Sequence, residues 1–274
     1  MRAPFGADAT APPTFVGVVH LLPLPGAPRH AGGFEPVLER ARSDAAALCA
    51  GGCDALIVEN FGDVPFFAGR VPAETVAAMT LAVAEVRRVA PHVLVGVNVL
   101  RNDARSALGI CAASGAEFIR VNVHTGAAVT DQGLISGQAA DTLRERARLA
   151  PGVKILADVH VKHATPMGSE SLVQAAQDTL LRGLADALIV SGAATGEAPA
   201  GASVRTLRAA VDGPLLLGSG LDLERADELL AALDGAIVGT ALKCDGQVDQ
   251  PVDVDRVRAL RERFDAATPT AAST

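Results

Sequence analysis

Tryptophan and tyrosine are absent from this chain, and phenylalanine occupies only eight positions. Intrinsic fluorescence is thereby excluded as a reporter of folding or binding. A surplus of positive charge is missing too, since 24 Lys and Arg stand against 31 Asp and Glu and leave a formal charge of −7, with a pI near 5.4. That balance excludes a nucleic-acid partner or an anionic bilayer held by charge alone, so an anionic ligand needs a local site. No apolar run approaches the roughly 20 residues that span a bilayer, which excludes an integral membrane segment and leaves peripheral association as the only membrane role open. Residues 1–13 lack the basic stretch and apolar core of a signal peptide. Cys49, Cys53, Cys111 and Cys244 form no CxxC pair and lie among apolar residues, as buried thiols of a reducing compartment do. A cytoplasmic protein is expected.

What is present is apolar residues in quantity, 49% of a 274-residue chain, enough to bury a large single core. A pattern recurs along it: a short β-branched run ending in a polar residue or glycine, a loop, then an amphipathic helix. The runs are 15–20, 54–59, 93–98, 117–123, 154–160, 186–191, 214–218 and 236–240. Helical stretches follow at 34–50, 73–90, 102–114, 138–150, 169–184, 203–211, 223–233 and 254–264. Eight strands alternating with eight helices predict one closed (β/α)₈ barrel over residues 15–265. Residues 1–14 and 266–274 read as flexible tails. The string DALIV occurs at Asp54–Val58 and again at Asp186–Val190, four units apart, a faint echo of a duplicated half-barrel.

Side chains alternate across a strand, so each run can be asked which face carries its terminal polar group. His20 shares a face with Val16 and Val18, Glu59 with Ala55 and Ile57, and Asn98 with Gly96. Arg120, Asn122 and His124 form one row, and Leu156, Asp158 and His160 another, opposite Ile155, Ala157 and Val159. The remaining runs end in Ser191, Gly218 and Thr240. Every run therefore delivers a polar residue or glycine to its carboxyl end, the end that carries the active site in this architecture. The stretch Lys154–Ala164 is the densest, because Asp158, His160, Lys162 and His163 would be costly there unless paired, solvated or functional. Long loops at 21–33, 60–71 and 124–137 are candidate lids, and Phe61, Phe66 and Phe67 in the second are a satellite core, a ligand wall or a subunit contact.

Two glycine clusters, Gly218-Ser219-Gly220 and Gly239-Thr240, follow the last two strands, where barrels often bind phosphate. Glycine lets backbone N–H groups approach an anion, and a helix starting near Asp222 and Leu223 would add its dipole. Gly218, Ser219, Gly220, Gly239 and Thr240 are the candidate phosphate-binding residues. Lys243 is either their counter-charge or a solvated lysine. Asp158, His160, Lys162 and Glu59 are the candidate catalytic groups: a carboxylate and an imidazole for proton transfer, and a lysine that stabilises negative charge or, if desolvated, forms a Schiff base. The competing reading pairs Asp158 with Arg120 as a structural ion pair. His20, Asn98, Arg120, Asn122 and Ser191 are the candidate substrate-binding groups. His20, Glu59, His124, Asp158 and His160 have the right chemistry for a metal but match no recognised ligand spacing, so no metal is assigned. The cofactor is unknown from the sequence.

Eight segments, HLLPLPGAPR (20–29), ALIVENFGDVPF (55–66), VGVNVLRND (95–103), FIRVNV (118–123), TDQGLISG (130–137), ADVHVKHA (157–164), ADALIVSG (185–192) and VGTALKCDG (238–246), together resemble the BtpA/SgcQ family. The resemblance covers residues 20–257. It implies a barrel of the ribulose-phosphate-binding type, in agreement with the phosphate site read from the glycines. Among that family's members, one is linked to photosystem I biogenesis at thylakoid membranes and another is described as a nucleosidase. The expected function is therefore an enzyme acting on a phosphorylated sugar or ribonucleoside, nucleosidase-like or a sugar-phosphate isomerase or lyase. The alternative is a non-catalytic assembly factor for a membrane complex. A phosphorylated small molecule is the expected ligand and a homo-oligomer the expected assembly.

Overall fold

The computed structural model describes residue 5 and residues 11–168, 171–192 and 201–267. In chain order its strands are β1 (Thr14–His20), β2 (Ala55–Glu59), β3 (Leu94–Asn98), β4 (Phe118–Val121), β5 (Ala127–Thr130), β6 (Gly133–Ser136), β7 (Lys154–Val159), β8 (Ala164–Pro166), β9 (Ala187–Val190), β10 (Leu215–Leu217) and β11 (Gly235–Val238). Its helices are α1 (Glu35–Ala50), α2 (Ala73–Val89), α3 (Ala104–Ser114), α4 (Ala139–Leu149), α5 (Leu172–Gln177), α6 (Gly201–Ala210), α7 (Ala226–Leu230) and α8 (Val254–Ala266). Strands β1, β2, β3, β4, β7, β9, β10 and β11 pair in parallel and close into a barrel. These are the eight runs read from the sequence, and the closed (β/α)₈ fold is the one expected.

Two apolar layers follow from the alternation. Val16, Val18, Ala55, Ile57, Leu156, Ile189 and Ile237 fill the barrel interior, while Phe15, Val19, Leu56, Val58, Ile155 and Val159 pack outward under the helices. Gly96 leaves space for the ring of Phe118, which a side chain there would overlap. Phe5 packs edge-on against the same ring with centroids 5.0 Å apart, deep in the interior. The other tail positions 1–4, 6–10 and 268–274 lie outside the described residues.

The amino end of the barrel is closed by a motif used four times. Asp54, Glu117, Asp186 and Asp234 each sit one residue before, or at the entry to, the second strand of a pair. Each carboxylate accepts the backbone N–H of a residue on the preceding strand, Phe15, Val95, Ile155 and Leu215, at 2.8–2.9 Å. Each acid's own N–H returns a bond to that residue's carbonyl. An arginine from the neighbouring helix, Arg261, Arg87, Arg146 or Arg208, completes each clamp at 2.6–2.9 Å. The repeated DALIV string begins with two of these acids.

Three departures from the expected elements matter for the site. First, β5, β6 and β8 form a separate antiparallel sheet, ordered β6-β5-β8, built from what reads as loop. Ala128 and Ile135 point it inward onto Val123 and Val161, so it lies over one side of the carboxyl end. Second, the helix expected at 169–184 begins at Leu172 within the described residues and ends in a wide turn at Asp178–Arg182. Third, the helix expected at 223–233 contracts to five residues, Ala226–Leu230. Gly220 takes a left-handed φ of 81° and Asp222 caps the N–H of Arg225 at 2.9 Å, which holds 221–225 as turns.

Candidate functional site

Parallel register sets His20, Glu59 and Asn98 side by side at the carboxyl ends of β1, β2 and β3. Next round the barrel, Arg120 on β4 is the hub of the interior. Its Nε and Nη2 donate to Oδ2 and Oδ1 of Asp158, each at 2.9 Å, and its Nη1 lies 3.5 Å from Oε1 of Glu59. Asn98 donates to the same Glu59 oxygen at 3.1 Å, and Asn122 donates to Asp158 at 2.9 Å. Burial works against the Arg120 charge, but Asp158 and Glu59 more than offset it and raise its pKa above the ordinary value. The guanidinium is a fixed cation.

Above this hub the mouth holds two adjacent chambers that share Glu59, Phe61, Arg120 and Lys162 in their linings. The smaller, of 220 Å³, adds His20 and both glycine clusters, Gly218–Asp222 and Gly239–Ala241. Gly218 and Gly239 are there because nothing larger fits. A β-carbon on Gly218 would lie 2.5 Å from Ser191 Oγ, and one on Gly239 would lie 2.7 Å from Cε1 of His20. The larger chamber, of 410 Å³, adds Phe66, Asn98, Arg101 and Asn122.

Several groups here are poised for a ligand. His20 leans on Phe61 with ring centroids 4.6 Å apart, and its buried Nδ1 has no hydrogen-bond partner among the described residues. Burial, followed by the charges of Lys243, Lys162, Arg40 and Arg120, holds the imidazole well below its usual pKa, so it is neutral. Asn122 Oδ1 and Ser191 Oγ are likewise buried without partners among the described residues, a pattern that ligand hydroxyls or phosphate would satisfy. Lys162, partly buried, faces both chambers. Desolvation and the adjacent Arg120 lower its pKa to about 8, against the pull of Glu59 and Asp158.

The structure brings most of the sequence-derived candidates together and separates four residues from the roles expected of them. Asp158 is not open to the mouth: its side chain is fully buried and its oxygens are taken by Arg120 and Asn122, which is the structural pairing. His160 does not continue the strand face. Its φ of 50° turns the chain off β7, and the ring lines a separate small cleft with Val123, Thr125, Ala164 and Thr179. His124 is turned away as well, its Nε2 bonded to the carbonyl of Gly183 at 2.8 Å. The five residues considered as metal ligands therefore do not converge. Lys243 is neither a phosphate counter-charge nor solvated; it is fully buried and donates to Asp44 at 2.6 Å. The helix dipole expected near Asp222 is missing because the helix starts at Ala226.

Arg101 is a site residue that the sequence reading passed over. It is 5% exposed, lines the larger chamber, and its Nη2 donates to the carbonyl of Lys162 at 2.6 Å, so it fixes the backbone that carries the lysine. Its only sequence signal is an arginine three positions beyond Asn98.

No described helix is long and apolar enough to cross a membrane. The thiamine phosphate pyrophosphorylase of Pyrococcus furiosus superposes with a TM-score of 0.59 at 16% identity, covering 94% of this chain and 98% of its own. A tryptophan synthase chain of Mycobacterium tuberculosis gives a TM-score of 0.60 at 18% identity over 97% and 95%. Such likeness is one of fold, the closed (β/α)₈ barrel. In sequence, the photosystem I biogenesis protein BtpA of Synechocystis is 50% identical over 250 residues, 90% of this chain and 86% of that protein. The BtpA family model matches residues 12–266, and the chain belongs to the BtpA family.

Proposed function

We propose that the protein is an enzyme acting on a phosphorylated sugar or ribonucleoside phosphate at the carboxyl mouth of its barrel. The observation that carries this reading is the shared lining of the smaller chamber: two glycine clusters that a methyl group would block, beside a neutral histidine, a fixed arginine and a lysine. Phosphate lies against Gly218–Gly220 and Gly239–Thr240, where backbone N–H groups can approach it. The sugar extends into the larger chamber, its hydroxyls meeting Asn98 and Asn122. Glu59 reaches both chambers and takes the acid/base role first given to Asp158, which instead holds Arg120 in place. Sugar-phosphate isomerase or lyase chemistry and N-glycosidic cleavage both use such a group. Four unbridged cysteines support the reducing, cytoplasmic compartment expected from the sequence.

Calorimetric titration with inorganic phosphate and ribose 5-phosphate tests this reading. Binding at millimolar ligand or tighter, weakened by Gly239→Ala, is the expected result; no heat at millimolar ligand refutes it.

An assembly role has its own supporting observation. Phe67, Val129 and Leu134 are 57%, 50% and 58% exposed, the last two are cross-strand partners, and the Synechocystis relative carries a biogenesis name. Membrane flotation of wild type beside Phe67→Ser/Leu134→Ser checks it. Equal association of both removes this surface from the account.

A further inference from the structure

Lysine is rare in this protein: of 24 Lys and Arg residues only Lys154, Lys162 and Lys243 are lysines. The other 21 are arginines, among them the cation of every base clamp and the hub residue Arg120. Two of the three lysines are accounted for. Lys154 is exposed at the base and paired with Asp186 at 3.0 Å, and Lys243 is sealed against Asp44. Lys162 stands at the junction of the two chambers, with its carbonyl pinned by Arg101 and no ion pair among the described residues. An amine differs from a guanidinium in that it can lose its proton and become a nucleophile.

We propose that Lys162 is an imine-forming residue, condensing with the carbonyl of an open-chain phosphorylated aldose or ketose. The inference rests on the phosphate reading above, which seats the phosphate in the smaller chamber and brings the sugar chain past the lysine. The neutral Nζ adds to the carbonyl carbon, forming the C–N bond as the C=O pair moves to oxygen. After proton transfer from nitrogen to oxygen, that oxygen takes a further proton and leaves as water. The nitrogen lone pair closes the C=N bond, and the iminium keeps one N–H and the positive charge. Glu59, lining the same two chambers, is the group that accepts a proton from the carbon next to the iminium, whose electron pair then flows into the C=N bond to give an enamine. Geometry carries the proposal, and electrostatics agrees: with its pKa lowered to about 8, Lys162 is neutral in roughly a tenth of molecules at pH 7, against fewer than about one in a thousand for a free lysine.

Reductive trapping tests it. The full chain is incubated with ribose 5-phosphate or dihydroxyacetone phosphate and sodium cyanoborohydride, and labelled peptides are quantified by mass spectrometry. Controls are the unphosphorylated sugars, excess inorganic phosphate, and the variants Lys162→Arg and Lys154→Arg, with calorimetric phosphate titration run in parallel. Expected is at least tenfold more adduct on Lys162 than on Lys154, suppressed by phosphate, abolished in Lys162→Arg and retained in Lys154→Arg. If phosphate binds but Lys162 is labelled no more than Lys154, the imine is overturned and the phosphate site stands. If neither phosphate binding nor labelling is seen, both are overturned. The wild-type measurement decides the matter even if a variant does not fold.

Discussion

Asp158→Asn keeps the shape of a buried side chain while removing its charge and one of its acceptor atoms. In the native barrel, Arg120 makes two bonds of 2.9 Å to the carboxylate and Asn122 adds a third. An amide at 158 can accept only through its oxygen, and its NH₂ group must face a donor of Arg120 or Asn122. The guanidinium then keeps a single acidic neighbour, Glu59, at 3.5 Å. Removing one partner of a buried ion pair costs about 3–5 kcal/mol, and the residual attraction of Glu59 sets the expectation near the lower end, about 3 kcal/mol. For a chain of this size that is a fall in Tm of roughly 6–10 °C. Urea unfolding followed by far-UV circular dichroism is the assay, since no tryptophan or tyrosine is available; the midpoint should drop with the slope unchanged. Wild-type stability in Asp158→Asn would refute the assignment of Asp158 as the anchor of Arg120.

Gly239→Ala should weaken ribose 5-phosphate at least tenfold by calorimetry while the protein still folds, because the new methyl would press His20, 2.7 Å away, into the phosphate chamber. Lys243→Met should cost about 3 kcal/mol in urea unfolding, since it leaves Asp44 buried without its ammonium, yet phosphate affinity should be unchanged. Lys162→Met should raise Tm at pH 7. The folded-state pKa of about 8 lies below the 10.5 of a free lysine, so the native state bears the full penalty of the buried charge below pH 8. That penalty is relieved as pH rises from 8 to 10.5, and the advantage of the variant, read from melts across that range, should shrink accordingly.

Period-two patterning made the barrel legible, because Val16, Val18 and His20, or Ala55, Ile57 and Glu59, can face only one way once the strand exists. The same logic put Arg120 beside Asp158 and both glycine clusters at one mouth. It failed at His160, since a single left-handed φ ends the alternation and a histidine carries no sign of it. Lys243 could not be read, because its partner Asp44 is 199 residues away and only the closed barrel brings them together. The hairpin of β5 and β6 had a signal, apolar residues flanking Thr130-Asp131-Gln132-Gly133, but its pairing with β8 depends on a distant segment. Arg101 was missed for the opposite reason: it lies close to a strand end, but its function is to hold the carbonyl of Lys162, 61 residues on.

The four clamps at the base have a consequence for how the chain can be rearranged. Each ties one barrel strand to the next, β1 to β2, β3 to β4, β7 to β9 and β10 to β11, so the ring is made of four two-strand units with covalent seams between them. Opening the chain at a seam, for instance between α2 and β3 at Pro91-His92, keeps the acid and the strand residue of every clamp on the same side of the break and parts only Arg87 from Glu117. Opening it between α1 and β2, at Gly51-Gly52, puts Phe15 and Asp54 on opposite sides of the break and turns one clamp into a contact between chain ends, where fraying concentrates. The barrel should therefore tolerate circular permutation at every second base loop and resist it at the others, a rhythm of two imposed on an eightfold ring.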